Sequence, residues 1–140
     1  MKHIILIIII SALVFSCEEG NNSDDQCAKN QLCTEQFEIV GVYVENLVGD
    51  PVTLDSTKVY DGNSDLIAAY TTDISDNPFF SYGFYPVATD SDKEGIAISG
   101  TPFSIRGWLK DQLVLDKDFL IGKDCCHIVK LAGVEKVILN

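Results

Sequence analysis

Residues 37–60 read FEIVGVYVENLVGDPVTLDSTKVY. Val40, Val42 and Val44 fall on one face and Ile39 and Tyr43 on the other, the two-residue period of a β-strand. Gly49-Asp50-Pro51 turns the chain, because glycine and aspartate suit tight turns and proline presets its own φ. Val52 to Tyr60 then reads as a return strand, opening with Val52 and Leu54 and closing with Val59 and Tyr60.

The same grammar continues outward. Asp61-Gly62-Asn63-Ser64 reads as a hairpin turn, since Asp-Gly tolerates positive φ. Residues 66–70 follow as a strand and 71–78 as polar loop. Residues 79–88 are aromatic, interrupted by Gly83 and Pro86, which suits an edge strand. Residues 90–95 read as another turn. Strands are expected at 96–98, 103–109, 113–121, 126–131 and 134–139. The 103–109 run alternates well: Phe103, Ile105 and Leu109 face one way, Ser104, Arg106 and Lys110 the other, and Trp108 interrupts the polar face. No stretch keeps a 3.6-residue apolar period over three turns. The expected fold is all-β, an antiparallel sandwich of seven to nine strands.

The N-terminus has a different character. Met1-Lys2-His3 is cationic, and residues 4–15 are apolar except for Ser11. A membrane-spanning helix needs about 20 such residues, so this run fits a signal-peptide core. Val14-Phe15-Ser16-Cys17 resembles the bacterial lipobox, with Phe15 bulkier than the usual residue there. The resemblance implies cleavage before Cys17, a diacylglycerol on its sulfur and a further acyl chain, such as palmitate, on its new amino group. Residues 1–16 are then a lipoprotein signal peptide, and residues 17–32 a lipidated cysteine and acidic tether. Glu18-Glu19 resembles acidic export signals of outer-membrane lipoproteins. Residues 18–26, EEGNNSDDQ, contain no apolar side chain and are expected to be disordered, spanning on the order of 15–18 Å. The expected location is the outer membrane, lipid-anchored, periplasmic or surface-exposed, with residues 33–140 as the folded domain.

Residues 42–54, VYVENLVGDPVTL, resemble the opening hairpin of transthyretin-like and carboxypeptidase-regulatory-like domains. Residues 89–95, TDSDKEG, sit where those domains carry a T-D-x-x-G turn. Residues 119–128, FLIGKDCCHI, resemble the ending of small bacterial lipoproteins of this shape. The resemblance implies a sandwich of seven or eight strands that usually carries no catalytic site.

Composition narrows the function. The 140 residues carry 10 Lys+Arg against 21 Asp+Glu, a net charge of −11. Scattered cations in so acidic a chain argue against nucleic acid and against an electrostatic hold on anionic lipid. Apart from Cys17, the cysteines are Cys27, Cys33, Cys125 and Cys126. An even number in a secreted chain reads as two disulfides. Cys27 and Cys33 are each expected to pair with one of Cys125 and Cys126, in an unassigned order. A metal site from Cys27, Cys33, Cys125 and His127 lacks the spacing of zinc ligands.

Asp90, Asp92 and Glu94, followed by Gly95, echo a calcium turn of the weak extracellular kind. Thr101 stands where an EF-hand needs a bidentate glutamate. Tyr82, Phe84, Tyr85 and Trp108 could together stack a sugar, the mark of a carbohydrate-binding accessory lipoprotein. His127 is the one histidine beyond the signal peptide, so a hydrolase would need it in a cleft beside a hydroxyl or thiol and a carboxylate. No nucleophile elbow, P-loop or dinucleotide fingerprint is present, and no cofactor is expected. The expectation is a lipid-anchored, non-catalytic binding or structural module, with a protein or glycan partner left open.

Overall fold

A computed structural model describes residues 32–71 and 78–140. The signal peptide, Cys17, the acidic tether and Cys27 lie outside the described residues. The strands are β1 (Ile39–Asn46), β2 (Ser56–Asp61), β3 (Leu66–Thr71), β4 (Phe84–Thr89), β5 (Thr101–Leu109), β6 (Gln112–Lys123), β7 (Ile128–Ala132) and β8 (Lys136–Leu139). Two 3-10 segments, Pro78–Tyr82 and Asp90–Gly95, flank β4.

The strands form two sheets packed as a sandwich, one in the order β4-β1-β8 and one in the order β3-β2-β5-β6-β7. Val42, Val44 and Tyr85 from the small sheet meet Val59, Ile105, Leu115 and Ile121 from the large one, each at most 1% exposed. Burying an aliphatic side chain of this size stabilises by roughly 1.5–3 kcal/mol, which makes this layer the main driving force. The alternation expected for β1 and β5 is what builds it. β5 and β6 join through Lys110 and Asp111, with φ of 51° and 62°. A two-residue turn with positive φ at both positions matches the twist of its flanking strands.

Several expectations need correction. β8 runs parallel to β1, pairing Tyr43 with Lys136 and Asn46 with Leu139, whereas the other pairs are antiparallel. Residues 52–60 are not one strand. Val52 N–H donates to the Val44 carbonyl beside the small sheet, Leu54 is fully buried, and β2 begins only at Ser56 in the large sheet. The segment therefore crosses between layers, and Tyr85 serves it: its hydroxyl donates to the Val52 carbonyl (2.9 Å) and accepts from Leu54 N–H (2.6 Å). Burial pushes the Tyr85 phenol up, which keeps its proton available for that bond.

Residues 79–88 divide into a 3-10 segment and β4, and β4 is an edge strand as expected. Residues 96–98 form no strand; Ile96 is buried, and Ala97 N–H is held by Thr101 Oγ1. Positive φ after β2 falls on Ser64 rather than Gly62, because Asp61 Oδ1 accepts the N–H groups of both Asn63 and Asp65 and shapes the turn itself.

Candidate functional site

The residues singled out for chemistry gather where the described chain begins. A disulfide joins Cys33 to Cys126, with their Cα atoms 5.2 Å apart and a sequence separation of 93. Cys125 is also disulfide-bonded. A strand was expected to begin at Cys126. Instead Cys125 and Cys126 sit in the turn between β6 and β7, since β7 starts only at Ile128. Asp124 shapes that turn: its Oδ1 accepts the N–H groups of Cys126 and His127, both at 2.7 Å.

His127 lies between a hydroxyl and a carboxylate. Thr34 Oγ1 is 2.9 Å from Nε2, and Asp90 Oδ2 is 2.7 Å from Nδ1. Asp90 also accepts Glu38 N–H on Oδ2 (2.9 Å) and Ile128 N–H on Oδ1 (2.8 Å). Burial pushes the Asp90 carboxyl up, but the Glu38 N–H, the His127 imidazole and the Ile128 N–H outweigh it and hold the group below the usual carboxylate range. Hydrogen bonds from the His127 and Cys126 N–H groups lower Asp124 as well. Ionised Asp90 can only accept, so Nδ1 of His127 donates to it. Lys93 closes the cluster, donating from Nζ to the carbonyls of Cys125 (3.2 Å) and Cys126 (3.0 Å).

Hydroxyl, imidazole and carboxylate in a row meet the first requirement of a hydrolase. The next requirement is a set of free donors for a developing oxyanion. Here the N–H groups of Cys126, His127 and Ile128 go to carboxylates, and Lys93 goes to two carbonyls. Cys126 is locked in a disulfide and is no nucleophile. What the arrangement does is tie three segments together: residues 33–38, the 3-10 segment at 90–95, and the 124–128 turn. It is a clasp.

The clasp gives a pH expectation. Both carboxyls are lowered in the fold, so their contribution to stability is complete above the ordinary carboxylate value of 3.8. It is lost as pH falls from there through the lower folded values. Asp90→Asn is expected to lower stability at neutral pH and to flatten the acid limb of a stability–pH curve measured by urea unfolding. An unchanged acid limb would show that Asp90 does not set it.

The remaining candidates are not brought together. Asp90 spends both oxygens in the clasp. Asp92 caps the 3-10 segment, accepting Thr89 N–H (2.8 Å) and the Thr89 hydroxyl (3.0 Å) on Oδ2. No group of three or more His, Cys, Asp or Glu side chains that could hold a metal gathers among the described residues. The proposed stacking platform is dispersed. Tyr85 is fully buried, Phe84 lies on the small sheet against Tyr43, and Trp108 lies on the large sheet. Tyr82 is exposed beside β4.

Trp108 instead neighbours Lys58, whose Nζ is 5.5 Å from the ring centroid, and Arg106 lies 5.0 Å over Tyr60. Lys58 and Arg106 are directly opposite in register. Each cation thus has an aromatic neighbour beside it, which offsets the like-charge pairing. Thr34, Lys93 and Asp124 were not read from the sequence. Asp124 had a signal, because aspartate two residues before a turn N–H caps it. Thr34 had none, since its partner lies 93 residues away. Comparison with family models, curated proteins and solved structures found no match.

Proposed function

We propose that the chain is a lipid-anchored module of the outer membrane or cell surface, tied to the bilayer through Cys17, whose sandwich binds or braces and does not catalyse. The observation that carries this reading is the clasp at the start of the domain. A chain held by an acyl group on Cys17 would feel any pull at residues 33–38, next to β1. That is where a disulfide and the Thr34–His127–Asp90 row fasten it to two other segments. Spending the nearby donors on structural carboxylates supports a bracing role over hydrolysis.

Cys17→Ser is expected to release the protein from membranes or to block its processing. Fractionation with mass analysis tests this. A Cys17→Ser chain that still floats with membranes at its normal mature mass would overturn the anchor.

A further inference from the structure

We infer that the outer face of the small sheet lies on the zwitterionic lipid surface beneath the domain, an inference that rests on the Cys17 anchor. The inner side chains of β1 and β4 fill the core, but the outer ones form an aromatic row. Phe79 meets Phe84 at 5.9 Å between ring centroids, and Phe84 meets Tyr43 at 4.9 Å. Tyr43 is 44% exposed, Phe79 42%, and Ile138 on the adjacent β8 57%. The row lies close to the backbone, because a Cβ at Gly41 would stand 2.5 Å from the Phe84 ring.

Three observations select lipid as the occupant. First, the face borders the point where the anchored chain joins. A groove of ≈560 Å³ is lined by Gly41, Tyr43 and Phe84 on one side and by His127 on the other, and His127 bonds Thr34. Second, the chain between the lipid and the domain is short. Residues 17–31 span at most roughly 50 Å even fully extended, while a domain of this size has a radius of gyration of about 13 Å. Tethering at that range sets an effective concentration on the order of millimolar, so a weak face is enough. Third, the cations beside the row are paired, Lys136 with Glu45 at 2.8 Å and Lys130 with Glu135, while Glu38 and Asp124 add acidic groups to the same groove. Tyrosine suits the headgroup boundary, while the acidic rim and a net charge of −11 repel anionic lipid.

The test uses the chain from residue 18 onward with a hexahistidine in place of the acylated cysteine. It is held on phosphatidylcholine vesicles by nickel-chelating lipid, so its outcome does not depend on whether cells acylate Cys17. A reporter is placed on the face by Tyr43→Trp in a Trp108→Phe background, with Ile138→Trp as a second position. Brominated phosphatidylcholine is expected to quench either reporter at least two-fold and to leave Trp108 of the parent chain unquenched. Replacing phosphatidylcholine by phosphatidylglycerol is expected to weaken the quenching. Equal quenching at the face and at Trp108, no quenching at either reporter, stronger quenching on phosphatidylglycerol, or a face signal that tracks dimer formation by sedimentation would each overturn the inference.

Discussion

Replacing Cys27, Cys33, Cys125 and Cys126 together by serine is expected to lower the free energy of unfolding by at least about 4–5 kcal/mol, the loop-closure entropy of one bridge around this separation. Cys33 and Cys126 are 93 residues apart, so their bond restrains most of the unfolded chain. A domain of this size holds only about 5–15 kcal/mol in total, and the variant should be largely unfolded at growth temperature. Cys33→Ser with Cys126→Ser alone should cost less, because Cys125 is in a disulfide too and another closure remains. Urea unfolding of the three proteins decides it. If the fourfold variant loses less than about 2 kcal/mol, the bridges do not set stability.

Tyr85 should give the second large effect, in two separable steps. Tyr85→Phe keeps the ring stacked on Phe80, 5.4 Å away and tilted by 18°. It removes only the hydroxyl that serves Val52 and Leu54. Taking the partner from a buried polar group costs about 1–3 kcal/mol. Tyr85→Ala removes the ring as well and leaves a core cavity, at roughly 3–5 kcal/mol or more. Denaturant midpoints of both variants measure the split. A Tyr85→Phe protein as stable as the parent would show that water or a backbone shift replaces the hydroxyl.

The Tyr85 site also shows what the sequence could and could not convey. β1 and β5 were legible because each keeps one apolar face against the core, and period two reports that directly. Residues 52–60 were read as one strand, although the inward positions shift phase from Leu54 to Thr57 and Val59. Period says that a residue faces inward, but not which sheet carries it, and here the chain changes sheets at Leu54. The direction of β8 was invisible for a related reason, since alternation has no sense along the chain.

At the clasp, His127 was singled out but its role was not. Its partners stand 93 and 37 residues away, and no local spacing encodes them. Asp90 and Asp92 resembled cation ligands because a capping carboxylate and a metal ligand are the same chemical group; only the donors around them distinguish the two. The aromatic residues were noticed as a set, yet the two layers divide them between core and opposite faces.

The pairing of β1 with both β4 and β8 bears on the order in which the domain forms. β1 is among the first parts of the domain to emerge. Its partners run through residues 84–89 and 136–139, the latter the last strand of the described chain. The small sheet therefore cannot be completed until residues 136–139 are available to pair. The large sheet, built mostly from neighbouring hairpins, can zip earlier. Non-local closure of this kind places folding in the slower range of contact-order behaviour, on the order of milliseconds to seconds. Until then the β1 edge that β8 covers stays open, a template for wrong pairing. Loss of the last five residues would leave that condition permanent on one edge.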